Sequence, residues 1–145
     1  MRYFLDVEFN GFGGDLISLA LVPEEEGAAP FYEALACDQP TPWVAEHVLP
    51  VLNTIAIPRA VMAARFADYL GDDEDPLLIA DWPEDIAQAA MLIVVAPGRR
   101  VSLDRIAFRM IDPIGFDAAA LSKMPHNAYH DAVALRAFIL EHEGR

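Results

Sequence analysis

Alternating apolar and polar positions predict a β-strand close to the N-terminus, at Phe4–Phe9. Because successive side chains of a strand point to opposite faces, Asp6 and Glu8 share one face with Phe4, and the other face is entirely apolar. The glycines that follow end this strand. The two carboxylates are therefore expected about 6.6 Å apart along the strand, at roughly 3.3 Å per residue.

The same periodicities predict an α/β protein. Further strands are predicted at 16–22, 31–36 and 77–80 and within 102–111, and helices at 43–49, 58–70, 117–121 and from 128 onward. The segment 91–96 fits either a helix end or a strand. The first three strands form an antiparallel meander, whereas the apolar run at 77–80 is typical of a buried parallel strand. We expect one mixed sheet flanked by helices, in a single domain that covers residues 1–145.

Composition narrows the class of protein. Hydrophobic residues make up 54% of the chain, which excludes wholesale disorder. The net charge of −13 argues against broad electrostatic binding of nucleic acid but leaves room for a local site. Without a bilayer-length apolar run or a signal-peptide pattern, and with the single cysteine Cys37, the chain is expected to be cytoplasmic and to have no membrane partner.

Asp6 and Glu8 point to metal chemistry. A strand that opens a small α/β domain is often central, where unpaired carboxylates are costly. Two like charges about 7 Å apart repel by roughly 2.4 kcal/mol at an effective dielectric constant of about 20. A divalent cation would compensate, and ligand sets made only of oxygen favour Mg²⁺ or Mn²⁺. The alternative is an edge strand with one hydrated face.

Asp81 is a third candidate ligand. It follows the apolar run 77–80, and open α/β sheets bind ligands in the crevice beyond the carboxyl ends of their strands. Asp81 and Glu84, on either side of Pro83, also match a helix capping box, and the two interpretations are compatible. Asp85 is the reserve candidate if the register differs.

The last helix contributes a fourth carboxylate. Asn127 is the predicted N-cap, and Asp131 falls on the apolar stripe that includes Leu135. A carboxylate on this stripe faces the core and needs a partner. His126 precedes the helix on a loop stiffened by Pro125, so it can lie over the same site.

These residues resemble the DEDDh group of 3′→5′ exonucleases, which has a ribonuclease H-like fold. Three motifs in order carry the resemblance: Asp-x-Glu at Asp6 and Glu8, a mid-chain Asp at Asp81, and His-x-x-x-x-Asp at His126 and Asp131. Within the group, the chain is most similar to small bacterial exoribonucleases related to ribonuclease T and oligoribonuclease. It departs from the group at Phe9, where many members carry threonine.

The resemblance implies an activity. Two divalent cations, Mg²⁺ or Mn²⁺, would be held by the four carboxylates of Asp6, Glu8, Asp81 and Asp131, beside the scissile phosphate. The substrate would be the 3′ end of single-stranded RNA or DNA, with RNA preferred, and the products nucleoside 5′-monophosphates. His126 would accept the proton of the attacking water. His130 lies in the same motif but has the wrong spacing.

The resemblance and the aromatic residues together suggest substrate contacts. Phe9 would help to grip the terminal nucleotide. Phe12 and Tyr129 could stack on bases, which suits single strands because stacking tolerates any sequence. Ordinary packing is the alternative for both rings.

Two other classes of function remain. One is a catalytically degenerate ribonuclease H-like module that binds nucleic acid or a protein, against which the presence of all five motif residues argues. The other is a flavodoxin-like phosphoacceptor domain, which needs adjacent acids after the first strand and a lysine at a later strand end. Asp6 and Glu8 are separated, and Lys123 ends no predicted strand. Homodimer formation and substrate length stay open.

Overall fold

The computed structural model describes residues 1–144, in which a five-stranded sheet, a small hairpin and helices follow one another. The strands are β1 (Arg2–Phe9), β2 (Leu16–Pro23), β3 (Phe31–Ala34), β4 (Leu77–Ala80), β5 (Val94–Ala96), β6 (Arg99–Arg100) and β7 (Ala107–Met110). The helices are α1 (Pro42–His47), α2 (Arg59–Gly71), α3 (Pro83–Leu92), α4 (Ala118–Leu121) and α5 (Ala128–Glu143), with a 3₁₀ turn at Leu49–Val51. None of these helices has the length and apolar character needed to cross a bilayer.

The large sheet is mixed, as predicted. Its strand order is β3-β2-β1-β4-β7, with β1 in the centre. The β1–β2 and β2–β3 pairs are antiparallel, whereas β1–β4 and β4–β7 are parallel. The predicted meander and the parallel strand at 77–80 are therefore confirmed. The antiparallel pairs also exclude the wholly parallel sheet of a flavodoxin-like phosphoacceptor domain.

Apolar side chains cover both faces of the sheet. On one face, Leu5 packs in a core cluster that includes Phe66 of α2 and Leu92 of α3. On the other face, Phe4 packs against Leu135 of α5. Every residue of β2 is buried, including Ser18, the one polar residue in its apolar run. The alternation predicted for β1 is confirmed, and it turns Asp6 and Glu8 towards the face that α5 covers.

Polar contacts fix α5 across the meander. Arg136 donates hydrogen bonds to the backbone carbonyls of Pro23 and Glu24. Arg2 forms ion pairs with Glu24 and with Glu143 at the end of α5. Such exposed pairs contribute little to stability individually. Together they set the position of α5 along β1, and this position determines which of its residues face the strand.

Several element boundaries differ from the sequence predictions. Pro58 is the N-cap of α2, not its first residue, because its ψ of 144° is extended. The strand predicted at 31–36 ends at residue 34, and the one predicted within 102–111 covers only 107–110, which are the residues that pair with β4. The ambiguous segment 91–96 contains both the end of α3 and β5. Helix α1 begins and ends one to two residues earlier than predicted.

Asn127→Ala should lower the free energy of unfolding by about 1–3 kcal/mol, because it removes a helix N-cap and a buried donor. The Asn127 side chain accepts from the His130 backbone N–H at 3.2 Å and donates to the Val51 carbonyl at 2.8 Å. Urea unfolding measures this loss. Asp117→Ala removes the N-cap of the short helix α4 and is the matched control, with an expected cost below about 1 kcal/mol. Equal costs would contradict the role of Asn127 in fixing α5.

Candidate metal centre

The carboxyl-terminal half of β1 extends past its parallel neighbour. Strand β4 pairs with β1 only up to Phe4, which lies opposite Ile79. Asp6 and Glu8 come after this pairing ends, so they lie at the crevice beyond the carboxyl end of β4. On the opposite edge of β1, pairing with β2 continues as far as Phe9. The backbone of both acidic residues is therefore held in the sheet while one edge of β1 is open.

Asp131 reaches this crevice from α5. It lies in the first turn of the helix, and its side chain is only 6% exposed. One carboxylate oxygen, Oδ2, accepts a hydrogen bond from the His126 backbone N–H at 3.1 Å. The prediction that Asp131 faces inward from the apolar stripe of α5 is confirmed.

Asp81 reaches the crevice from the β4–α3 connection, and Asp85 reaches it from α3. Asp81 does not cap α3: the N-cap is Trp82, which makes no side-chain capping bond, so the capping-box interpretation is wrong. Glu84 instead accepts hydrogen bonds from the Gly13 backbone N–H and from the Trp82 indole. Asp85 lies in the first turn of α3 and is 3% exposed. Both mid-chain candidates therefore lie near the crevice.

The five carboxylates form two groups that share one residue. The first group is Asp6, Glu8 and Asp131, and the second is Asp6, Asp81 and Asp85. Within each group, one oxygen from each residue lies within 4.8 Å of the others. The structure thus brings together all four predicted ligands and the reserve candidate. Asp6, on the central strand, belongs to both groups.

Burial and mutual repulsion make these carboxylates hard to ionise. Burial is the first cause in every case: it raises the pKa of Asp6 well above its usual value, that of Glu8 to about 8 and that of Asp85 to about 9. Neighbouring carboxylates add to the rise in these three pKa values. Burial also raises the pKa of Asp81 and of Asp131. A cluster of this kind is stabilised when its carboxylates bind protons or cations.

The donor set fits a divalent cation. Among residues 1–144, Asp6 Oδ2 and Asp131 Oδ1 are buried side-chain oxygens without a hydrogen-bond partner. Such unpaired oxygens are costly unless they have a compensating partner. All the converging donors are carboxylate oxygens, which Mg²⁺ and Mn²⁺ prefer over sulfur or nitrogen ligands.

Without divalent cations, the stability of the protein should fall as the pH rises from about 5 to 9. Glu8 and Asp85 have folded-state pKa values of about 8 and 9, above their unfolded values near 4. The folded state therefore binds protons more tightly, and this stabilisation is complete below pH 4 and lost as the pH passes the folded values. Melting curves in chelator measure the effect.

The matched control for this pH dependence is the double variant Glu8→Gln with Asp85→Asn. Its two amides cannot titrate, so its melting temperature should change less over the same range. A wild-type protein that becomes more stable between pH 5 and 9 in chelator would contradict the raised pKa values.

A surface cleft of about 500 Å³ opens over Asp6, Glu8, Asp81 and Asp85, whereas Asp131 is not among its lining residues. We call it the carboxylate cleft. The residues that line it are Asp6, Val7, Glu8, Phe9, Gly11, Phe12, Trp43, Asp81, Trp82, Glu84 and Asp85. Phe12 is 99% exposed at the tip of the β1–β2 turn, and the contact between Gly13 and Glu84 ties this turn to α3. Of the predicted substrate contacts, Phe9 and Phe12 line the cleft.

Tyr129 does not line the carboxylate cleft. Its ring packs against Tyr32 of β3, with 6.3 Å between ring centroids, and against His130. These contacts are those of ordinary packing, the alternative given above, and the stacking role of Tyr129 stays a prediction. A helix turns about 100° per residue, so a side chain two positions before Asp131 points to a different side.

The two histidines of the third motif differ in their surroundings. His126 lies in the loop before α5, and its ring contacts Trp43, which lines the cleft. His130 lies on α5 itself, and its ring contacts Tyr129. Neither histidine is among the residues that line the cleft. Burial raises the pKa of Asp131 and the charges of both histidines lower it, so the choice of His126 as the residue over the site stays a prediction.

Sequence reasoning missed the two tryptophans of the cleft. Trp43 and Trp82 are 50% and 55% exposed, and both line it. Each stands next to a proline at the start of a helix. A proline marks the start of a helix, and the start of a short helix lies near the surface. A tryptophan beside such a proline was therefore the sequence signal for an exposed aromatic side chain.

Comparison of the sequence with protein-family models gave no match, and comparison with curated proteins gave none. The chemistry of the cleft therefore carries the functional argument. Two adjoining carboxylate groups beneath an aromatic rim could bind a pair of divalent cations next to an anionic, aromatic ligand.

Proposed function

We propose that the chain is a metal-dependent 3′→5′ exonuclease that hydrolyses single-stranded nucleic acid, preferably RNA, to nucleoside 5′-monophosphates. The observation that carries this proposal is the pair of carboxylate groups that share Asp6. Two cation sites with one bridging carboxylate are what a two-metal phosphodiester hydrolase requires. The mixed sheet, with its meander continued by parallel strands, supports a ribonuclease H-like fold.

Each acidic residue has a defined part in holding the cations. Asp6, Glu8 and Asp131 would hold one, and Asp6, Asp81 and Asp85 would hold the other. When bound, a cation pair supplies charge stabilisation for the attacking and leaving oxygens of an in-line displacement. The protein holds these carboxylates in place. The pairing of β1 with β2 fixes the backbone of Asp6, and the hydrogen bond from the His126 backbone N–H fixes the Asp131 side chain.

His126 is the proposed general base. Imidazole is the side chain that most often accepts a proton in general base catalysis near neutral pH. The backbone N–H of His126, in the loop before α5, donates a hydrogen bond to the Asp131 carboxylate. The proton would pass from the attacking water to the His126 ring.

The aromatic rim suits a single strand. Phe12, Trp43 and Trp82 expose ring surface around the carboxylates. Base–aromatic stacking contributes about 1–3 kcal/mol per base and tolerates any sequence. Bases paired in a duplex are already stacked and cannot use these rings, so we expect duplexes to be poor substrates. The preference for RNA over DNA comes from the family resemblance alone.

The test is a time course with 5′-labelled single-stranded RNA in Mg²⁺, in Mn²⁺ and in chelator. Shortening by one nucleotide at a time from the 3′ end, only with metal, is the expected pattern. Parallel reactions on single-stranded DNA and on a blunt duplex measure the preferences. Internal cleavage products would contradict the exonuclease assignment. No hydrolysis with any metal or substrate, together with binding of RNA, would favour the degenerate binding module.

A further inference from the structure

Three aromatic rings meet at one wall of the carboxylate cleft. His47 stacks on Trp43 with 4.7 Å between ring centroids, and His126 meets Trp43 edge-on at 4.9 Å. The centroids of the two imidazoles are 6.1 Å apart. These distances place the imidazoles in nearly perpendicular directions from the indole, so each contacts a different part of Trp43.

The backbone of His126 is constrained, and its ring packs against the rings of Trp43 and His47. His126 has φ of 68°, a left-handed conformation that is uncommon for residues other than glycine. Its N–H is bound to Asp131 Oδ2. The His126 ring contacts the rings of Trp43 and His47. The backbone therefore fixes the position of the His126 Cα, and the two rings of α1 restrict the orientation of the imidazole.

Trp43 is itself firmly held. Thr41 caps α1 by accepting the Val44 N–H, and its own N–H donates to Asn10 just after β1. Val44 is buried in a cluster with Ile17 of β2. Within α1, a ring nitrogen of His47 lies 2.9 Å from the Trp43 carbonyl oxygen. Helix α1 is thus fixed to the sheet, and it presents Trp43 to the cleft.

We propose that Trp43, supported by His47, is the positioning residue that orients the His126 imidazole beside the carboxylate cleft. This inference rests on the proposed function, in which His126 is the general base. A catalytic group misplaced by about 1 Å can cost up to 10²-fold in rate, so a side chain that only orients the base can have a large kinetic effect.

The two tryptophans offer a matched comparison. Both line the cleft and are about half exposed, but only Trp43 contacts a histidine ring. Trp43→Leu should lower kcat by about 10–100-fold, and Trp43→Phe should keep most of it because its ring can still meet the imidazole. Trp82→Leu should act mainly on KM. Steady-state rates on single-stranded RNA in saturating metal measure both.

Repeating the substitutions in a His126→Asn background separates positioning from general damage. With the imidazole gone, Trp43→Leu should cause no further fall in kcat, whereas the effect of Trp82→Leu on KM should persist. If Trp43→Leu lowers kcat equally in both backgrounds, the positioning role is overturned and the proposed function is untouched. If the wild type hydrolyses nothing, the proposed function and this role fall together.

A spectroscopic measurement tests the contact without activity. The carbon-bound ring protons of His126, assigned by their loss in His126→Asn, lie in the ring current of Trp43. Their NMR resonances should move in Trp43→Leu and stay in place in Trp82→Leu. Resonances that do not move in Trp43→Leu overturn the inference whatever the kinetics show.

Discussion

Asp6→Asn should abolish the rise in melting temperature that Mg²⁺ or Mn²⁺ causes in the wild-type protein, and hydrolysis of RNA with it. Asp6 is the residue that both carboxylate groups share, so its loss damages both cation sites at once. A ligand at 100 times its Kd stabilises the folded state by about 2.7 kcal/mol, which for a chain of this length raises Tm by about 5–10 °C. Thermal melting with and without metal measures the loss.

The chelator arm distinguishes a metal ligand from a structural residue. In chelator, Asp6→Asn should melt no lower than the wild type, because the amide has the shape of the carboxyl group and removes one source of repulsion. Asp68→Asn, the same substitution at an exposed position of α2, should leave the metal effect unchanged. A metal-dependent rise that survives in Asp6→Asn would refute the proposed sites.

The parts of the site that lie within one element could be predicted from the sequence. Asp6 and Glu8 share a face because a strand alternates with period two, and this needs no knowledge of the neighbours. Asp131 faces inward because its spacing to Leu135 places both on one side of a helix. Burial of Asp131 and Leu135 in the folded chain confirms that local periodicity was sufficient.

The role of the mid-chain acids depended on a distant contact. Asp81 and Glu84 have capping-box spacing, but Glu84 is engaged by Gly13 of the β1–β2 turn and by the indole of Trp82. That contact joins residues 71 positions apart, which no local pattern contains. With Glu84 occupied elsewhere, Asp81 is left near Asp85 and Asp6.

The limits of strand β7 and the contact between Trp43 and His126 could not be predicted from local sequence patterns either. Strand β7 ends where its partner β4 ends, so the apolar positions of 102–111 could not set its limits. Trp43 meets His126 only because α1 packs against β2 while α5 packs across the meander. A short helix with one tryptophan carries no sign of such a contact in its own sequence.

His126→Ala should lower the rate of RNA hydrolysis by roughly 10²–10⁴-fold, the usual contribution of a positioned proton acceptor. The metal-dependent rise in melting temperature should remain, because the proposed ligands are all carboxylates and the backbone N–H that binds Asp131 is retained. A gel time course with 5′-labelled RNA gives the rate, and thermal melting gives the metal effect. This combination of a lost rate and a kept metal effect separates a general base from a ligand.

Two further variants complete the test of His126. Its φ of 68° strains an alanine, so His126→Asn, which tolerates this conformation better, checks that the lost rate is not lost backbone geometry. His130→Ala, in the first turn of α5, should keep most of the activity because its ring packs against Tyr129. If His130→Ala is inactive and both His126 variants are active, the third motif has been placed in the wrong register. If the His126 variants lose both hydrolysis and the metal effect, the imidazole acts on the metal site and the proton-acceptor role fails.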